Sequence, residues 1–333
     1  MRQKLVIHIG THKTGSTTIQ NYLNFNRLWL RMLGINYPKP VHGTIFHANN
    51  HADLRDTARC EGQRRNPHIH RAYGPFDDVL ARYIDNMLAL RKPLNIMSCE
   101  GWSANLNLFA DRMAALKDHF DVSVVAFVRR PDYWIESLYR QRVVNIQHQE
   151  SRSFEEFSSL KSMETAIYDR ARILGWWGKV FGHDNVTAIP YEPAVADFDL
   201  LDRFLDCAGA GRGAVRRLPL RRARANPSLS AAQIEIIRLM HKHGHSVDAR
   251  LLRQLRRRVR GGKTGYLSSA DRMMLLARAA PDMQAVCDIY VKDGRHELFP
   301  RDPENSAHAD IWDRRADPEF LGTFEEMLKE QSP

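Results

Sequence analysis

The chain of 333 residues has few cysteines and no long apolar run. No stretch approaches the ~20 apolar residues that a membrane helix needs. The first predicted strand begins at about Lys4, which leaves no room for a signal peptide. The four cysteines form no Cys-x-x-Cys pair, which argues against a disulfide framework and a zinc site: Cys60, Cys99, Cys207 and Cys287. These absences favour a cytoplasmic protein with reduced thiols.

Positive charge is concentrated in one segment. The formal net charge is +10, yet residues 211–263 alone contain fifteen Lys or Arg against Glu235 and Asp248. Such a segment can contact an anionic glycan or a membrane surface, or it can simply be a solvated helix face. We expect no nucleic-acid partner.

Short apolar strands alternate with amphipathic helices, which predicts a three-layer α/β/α fold with a central parallel sheet. We expect a single domain over 1–333, with an α/β core over 1–210 and a helical extension over 211–333. The predicted strands are 4–10, 94–99, 122–128 and 185–190. The predicted helices are 16–33, 105–119, 132–149, 164–181 and 197–208.

Residues 5–20 read as a buried strand, a glycine-containing turn and a helix that opens on hydroxyl residues. Backbone N–H groups converge on an anion in such a loop. Gly10 and Gly15 have the spacing of a nucleotide triphosphatase loop, but Ser16 stands where its lysine should be. The lysine is inside the turn, at Lys13. The pattern therefore predicts a phosphate site and disfavours an ordinary ATPase.

A second pattern follows the predicted strand 122–128. The strand leads directly into Arg129, Arg130 and Pro131, and Ser137 lies eight residues beyond Arg129. Arginine presents a planar fork that matches phosphate oxygens. A kinase needs a magnesium ligand, normally an aspartate at a strand end. Because this strand ends in two arginines, it indicates an anion site.

Together the two patterns resemble the sulfotransferases that use 3′-phosphoadenosine 5′-phosphosulfate (PAPS), over roughly residues 4–205. The resemblance implies that Lys13 donates to the oxygen between sulfate and phosphate. It implies that Arg129 and Ser137 bind the 3′-phosphate, with Arg130 left as an alternative, and that Tyr191 lies near the adenine. The 5′-phosphate would be bound by loop residues: His12, Lys13, Thr14, Gly15, Ser16, Thr17 and Thr18.

The general base is Glu100 in this interpretation, because it ends the strand 94–99 at the edge where Lys13 is expected. Partial burial there would raise its pKa. The alternatives are His12, which could equally be a turn residue, and the histidines of the irregular stretch 36–75, chiefly His47 and His51. We expect no metal, because the spacing of these histidines fits no standard cluster.

The sequence therefore predicts an enzyme that transfers a sulfuryl group in line from PAPS to a hydroxyl of a saccharide or glycolipid. Animal Golgi sulfotransferases carry a membrane anchor, and this sequence shows no apolar run long enough for one. We therefore expect a bacterial enzyme here. Two alternatives stay open. One is a P-loop kinase or other phosphotransferase, and the other is a non-catalytic protein whose basic segment docks on membrane or nucleic acid.

Overall fold

The computed structural model describes residues 2–42, 49–63, 73–103, 109–145, 148–192, 199–211, 229–259, 265–299 and 318–331. These residues cluster into two compact units. The first comprises Met1–Arg129, Asp169–Arg224 and Asp282–Leu298; the second comprises Arg130–Tyr168, Ala225–Pro281 and Phe299–Pro333. The division of a single domain at residue 210 stays a prediction.

The secondary structure begins with β1 (Gln3–His8), α1 (Ser16–Phe25), α2 (Arg27–Met32), β2 (Ile35–Asn36), α3 (Ala52–Gln63), α4 (Phe76–Leu90) and β3 (Leu94–Ser98). It continues with α5 (Leu116–His119), β4 (Phe120–Arg129), α6 (Pro131–Val144), α7 (Phe154–Ser158), α8 (Lys161–Tyr168), α9 (Arg170–Phe181) and β5 (Val186–Tyr191). The last helices are α10 (Leu200–Cys207), α11 (Ala231–Lys242), α12 (Ala249–Arg258), α13 (Ser269–Tyr290) and α14 (Pro318–Gln331).

The first unit is built on a five-stranded sheet in the order β2-β3-β1-β4-β5, with every neighbouring pair parallel. Alternate residues of β1 point to opposite faces, and both sets are buried: Val6 on one face, Leu5 and Ile7 on the other. A sheet buried on both faces needs helices on each side. The predicted α/β/α class is confirmed.

The sheet face that carries Val6 packs against α1, α2 and α10. Its apolar cluster joins side chains of all five strands to those of the helices: Val6, Ile35, Ile96, Val125, Phe127, Ile189, Ile19, Tyr22, Leu23, Leu30, Leu201, Phe204 and Leu205. This packing fixes the start of α1, and with it the turn that precedes the helix.

The second unit has a separate apolar core around α6, α11 and α14. Trp134 and Tyr139 of α6 are buried in it, together with Ile237 and Phe324, so both aromatic residues pack within the fold. Ser230 caps α11 through a capping box with Gln233.

The four predicted strands are confirmed within one or two residues, whereas several helix boundaries were wrong. Residues 110–115 form turns, α6 ends at Val144, and the predicted helix 164–181 is interrupted at Asp169. The stretch 36–75, predicted to be irregular, contains α3. Among the described helices, none combines the length and apolarity that crossing a bilayer requires. Cys99, Cys207 and Cys287 are free thiols.

Candidate active site

The turn between β1 and α1 is the centre of the candidate site. Its backbone enters the left-handed region at Gly10, Lys13 and Gly15, with φ of 34°, 66° and 80°. Glycine adopts this conformation readily, whereas a lysine there costs on the order of 1 kcal/mol. Gly15 is the N-cap of α1 and supplies no side-chain cap. The N-cap residue therefore leaves the positive end of the α1 dipole without a side-chain cap, as an anion site requires.

Three side-chain hydroxyl groups stabilise this turn through hydrogen bonds to backbone carbonyl oxygens. Thr11 Oγ1 donates to the carbonyl oxygen of Phe127 (2.8 Å), and Thr14 Oγ1 donates to that of Thr11 (2.6 Å). Ser103 Oγ donates to the carbonyl oxygen of Gly10 (2.7 Å). Since the Thr14 hydroxyl is used inside the turn, Thr14 can offer a phosphate only its backbone N–H.

Ser16 is buried at the start of α1. A Cβ built on Gly10 would lie 2.4 Å from Ser16 Oγ and 3.3 Å from His8 Nε2, so both atoms border the same point under the turn. Neither atom has a hydrogen-bond partner among the described residues. Thr17 is exposed and Thr18 is half-buried.

The end of β4 reaches the turn directly. Arg129 Nη1 donates to the carbonyl oxygen of Lys13 at 3.1 Å, and the guanidinium carbon lies 5.5 Å from the centre of the Tyr191 ring. Arg129 and Tyr191 are register partners in β4 and β5. A Cβ on Gly15 would lie 3.4 Å from Tyr191 Cε2. The structure thus brings together the predicted residues Lys13, Gly15, Arg129 and Tyr191.

Arg130 differs from Arg129 in its contacts. Its Nε and Nη2 atoms donate to both carboxylate oxygens of Asp132 at 2.8 Å each, and its guanidinium lies over Tyr133. Asp132 also pairs with Arg272. Burial opposes ionisation of Asp132, but the two arginines outweigh it and hold its pKa below the usual value. Arg130 is therefore committed to a buried ion cluster of the second unit. Ser137, half-buried on α6, belongs to the same unit.

Glu100 opens the 3₁₀ turn Glu100–Ser103 that follows β3. Its Oε1 lies 3.6 Å from Nδ1 of His12, so the predicted base and one of its alternatives form a pair. Burial alone would raise the pKa of Glu100, but its electrostatic interactions with His12, Lys13 and His8 lower it overall. The expectation of a raised pKa was wrong, because these interactions outweigh desolvation.

The other histidines proposed as bases are His51 and His47. His51 is fully buried; its Nδ1 accepts from the backbone N–H of Ser98 (2.9 Å), and its Nε2 donates to the carbonyl oxygen of Pro38 (3.1 Å). Burial lowers its pKa to about 4. With both ring nitrogens engaged, His51 cannot take a substrate proton, so it was wrong as an alternative base. His47 lies outside the described residues.

Sequence reasoning missed His8 and Ser103. His8 is fully buried, with Nδ1 2.8 Å from Ser98 Oγ, and burial lowers its pKa to about 4. A histidine within an otherwise apolar strand is a signal for a buried polar partner, which could have identified it. Ser103 had no such signal. No group of three His, Cys, Asp or Glu side chains suited to a metal occurs in the described part of the chain; a metal-free site stays a prediction.

No protein family model matches the chain, and no curated protein does. Among solved structures it is similar to a sulfotransferase from Alicyclobacillus acidocaldarius, with TM-score 0.38 and 16% identity over 76% of this chain and 99% of that one. It is similar to the sulfotransferase domain from the Synechococcus PCC 7002 olefin synthase, with TM-score 0.40 and 15% identity over 83% and 94% of the two chains.

A third similar structure is the sulfotransferase domain from the curacin biosynthetic pathway, with TM-score 0.43 and 11% identity over 84% of this chain and 97% of that one. All three are sulfotransferases. With TM-scores below 0.5 and identities of 16% or less, these likenesses do not decide the activity, which has to be argued from the residues of the site.

Proposed function

We propose that the protein is a sulfotransferase that moves the sulfuryl group of PAPS to a hydroxyl of a saccharide or glycolipid. The observation that carries this proposal is the contact of Arg129 with the carbonyl oxygen of Lys13. It joins an arginine fork at a strand end to a turn whose helix has Gly15 as its N-cap, a residue that supplies no side-chain cap. Two neighbouring anion-binding groups suit a donor that carries one phosphate on each side of its ribose.

The turn would bind the 5′ side of the donor. Backbone N–H groups from Thr14 to Thr17 would donate to the 5′-phosphate, with His12 and the hydroxyls of Ser16, Thr17 and Thr18 assisting. The N–H of Thr18, which the sequence also suggested, donates to the carbonyl oxygen of Gly15 instead (2.9 Å). The Lys13 ammonium would donate to the oxygen between sulfur and phosphorus, where negative charge grows as the bond breaks. The left-handed backbone of Lys13 is the kind of strain that occurs at functional turns.

The 3′ side of the donor would lie at the β4 end. Arg129 would bind the 3′-phosphate, and Tyr191, over which the Arg129 guanidinium lies, would contact the adenine. The part of Ser137 in binding this phosphate stays a prediction from the sequence pattern. Arg130 has no part in this, since its fork is filled by Asp132.

The transfer is proposed as one in-line step. The acceptor oxygen bonds to sulfur while the bond from sulfur to the bridging oxygen breaks, and that oxygen keeps the electron pair. Glu100 takes the acceptor proton, with His12 beside it. The products are a sulfate ester and 3′,5′-adenosine bisphosphate, with no covalent enzyme intermediate.

One observation favours a phosphotransferase as a second candidate. β3 is the neighbour of β1 in the sheet, and Glu100 follows it by two residues. A carboxylate at that place could hold Mg²⁺ for a nucleoside triphosphate. The lowered pKa of Glu100 keeps its carboxylate ionised, which suits a metal ligand, and makes it a weaker proton acceptor.

A ³⁵S-transfer assay distinguishes the sulfotransferase from the phosphotransferase. Labelled PAPS is incubated with a panel of oligosaccharides and glycolipids in the presence of EDTA. We expect labelled product from the wild type and almost none from Lys13→Ala. Magnesium-dependent consumption of ATP without ³⁵S transfer would establish the phosphotransferase. Absence of both ³⁵S transfer and ATP consumption in the wild type would instead indicate a non-catalytic protein.

The basic segment 211–263 is proposed to contact an anionic glycan or membrane surface, and the compartment is proposed to be the cytoplasm of a bacterium. Within the described part of this segment, α12 exposes a row of arginines: Arg250, Arg253, Arg256, Arg257 and Arg258. Such a face attracts anions and is equally stable in water.

A further inference from the structure

Four large apolar side chains are exposed to solvent at the end of α1 and along α2. Phe25 is 55% exposed, Leu28 75%, Trp29 40% and Met32 74%. Met32 follows Trp29 by three residues and Leu28 by four, which places these three on one side of α2, and Phe25 ends the preceding helix α1. We call these four residues the apolar face. Large exposed apolar side chains grouped along the chain in this way mark an interaction site.

The apolar face is separate from the side of the two helices that packs on the sheet. Ile19, Leu23 and Leu30 fill the core on that other side and are fully buried. The fold therefore does not need the exposed four for its packing. The stability of the fold does not explain why these four exposed positions are apolar.

The surroundings of the apolar face carry positive charge. The first 52 residues contain no Asp or Glu and six Lys or Arg. Arg31 is half-buried on α2, whereas the guanidinium of Arg27 is engaged inside the fold, where it donates to the carbonyl oxygen of Pro38 (3.0 Å) and lies over the Tyr37 ring. Just beyond α2, the N–H of Leu94 donates to the carbonyl oxygen of Gly34 (3.2 Å). This contact places the turn with Arg91 and Lys92 beside the end of α2, and the Arg91 side chain is exposed.

We propose that the apolar face docks on an anionic lipid bilayer. Trp, Phe, Leu and Met side chains enter the interface between headgroups and acyl chains, while neighbouring Lys and Arg side chains meet the anionic headgroups. Each cation near an anionic surface contributes about 1 kcal/mol to such binding. The protein would lie on the membrane without crossing it.

A bilayer fits the apolar face better than a second copy of the chain does. Four side chains supply much less than the ~800 Å² per partner of a stable protein interface. Two copies of the same face would also bring cations of like sign together. A bilayer needs no matching groove and receives protruding side chains such as Leu28 and Met32 directly.

Docking through the apolar face is independent of the proposed transfer chemistry. The ten residues of α1, at 1.5 Å each, separate Phe25 from the turn at Ser16 by about 14 Å. Substitution of the apolar face should therefore leave donor binding unchanged, which keeps the two proposals separable.

The test is sedimentation of the full chain with vesicles of phosphatidylcholine alone or with 30% phosphatidylglycerol. The double variant Leu28→Glu/Met32→Glu is compared with Met273→Glu/Met274→Glu on α13, where the methionines are 72% and 65% exposed. Both variants add the same charge. We expect the wild type and the α13 variant to bind the anionic vesicles, and the α2 variant to bind at least about tenfold more weakly.

Fluorescence provides the second readout. Brominated lipids should quench the wild type more than Trp29→Phe, because Trp29 enters the interface. The proposal is overturned if the wild type ignores anionic vesicles, if both double variants lose binding equally, or if quenching does not depend on Trp29. Sedimentation of a lipid-free dimer that Leu28→Glu/Met32→Glu dissociates would assign the face to self-association instead.

Discussion

The side chain of Arg129 donates to the backbone carbonyl of Lys13 across 116 positions of sequence. This contact ties the end of β4 to the turn after β1, the two places where the sequence shows anion-binding patterns. Lys13 has a left-handed φ, and its carbonyl oxygen accepts the hydrogen bond of Arg129. The turn and the strand end are therefore in direct contact.

The two adjacent arginines should therefore respond differently to substitution. Arg129→Ala should weaken binding of 3′,5′-adenosine bisphosphate by about 10- to 100-fold, the value of a charge-assisted hydrogen bond, and should change binding of adenosine 5′-phosphate little. Calorimetric titration of both nucleotides measures this difference. Equal weakening of the binding of both nucleotides would show that Arg129 does not bind the 3′-phosphate.

Arg130→Ala is the matched control, and its effect should be on stability. It removes one of two arginines from the buried carboxylate of Asp132, and breaking a buried pair costs about 3 kcal/mol. We expect that loss in the unfolding free energy measured with urea. A variant as stable as the wild type would show that the Arg130–Asp132 pair is not formed.

Lys13→Ala should lower the rate of sulfuryl transfer by about 10²- to 10³-fold, as the loss of one preorganised donor does. Alanine meets the same backbone strain at positive φ as lysine, so the melting temperature should change little. Lys39→Ala, at an exposed position, is the control. A rate within twofold of the wild type would exclude Lys13 from the reaction.

The pH profile reports on the proton acceptor. Since the pKa of Glu100 lies below its ordinary value of 4.5, its carboxylate is ionised throughout the neutral range. We expect a transfer rate that is constant from pH 8 to about pH 5 and falls only below it. Glu100→Gln should reduce the rate about 10²- to 10⁴-fold. A rate that declines below about pH 6.5 would assign the proton to a histidine.

Acid should destabilise the fold through His8 and His51. Burial lowers both pKa values to about 4 from 6.5, so between these limits the unfolded chain binds more protons than the folded chain. Stability therefore falls as the pH drops from 6.5 to 4, by about 2 kcal/mol per histidine at pH 5. Urea unfolding of His51→Gln should show a shallower pH dependence than that of His119→Gln, at an exposed position. Identical slopes would contradict this account.

The sheet could be predicted from the sequence because its strands are short apolar runs. Parallel pairing then required Lys13, Arg129 and Tyr191 to end at one edge. The stretch 36–75 was misjudged because Pro, Gly and His residues obscured α3, whose buried Asp53 and Thr57 break the apolar periodicity.

The electrostatics of the site could not be predicted from sequence. The pKa of Glu100 depends on the position of His12, and the commitment of Arg130 depends on Asp132 and on the distant Arg272. The apolar face was hidden for a related reason. Phe25, Leu28, Trp29 and Met32 share helices with a true core stripe, and only packing shows which apolar side chains stay outside.

The most direct measurement is calorimetric titration of the wild-type protein with 3′,5′-adenosine bisphosphate and with ATP, each with and without Mg²⁺. The account predicts tight binding of the bisphosphate that does not change when Mg²⁺ is removed, and much weaker binding of ATP. Magnesium-dependent binding of ATP, with the bisphosphate bound no better than adenosine 5′-phosphate, would contradict it.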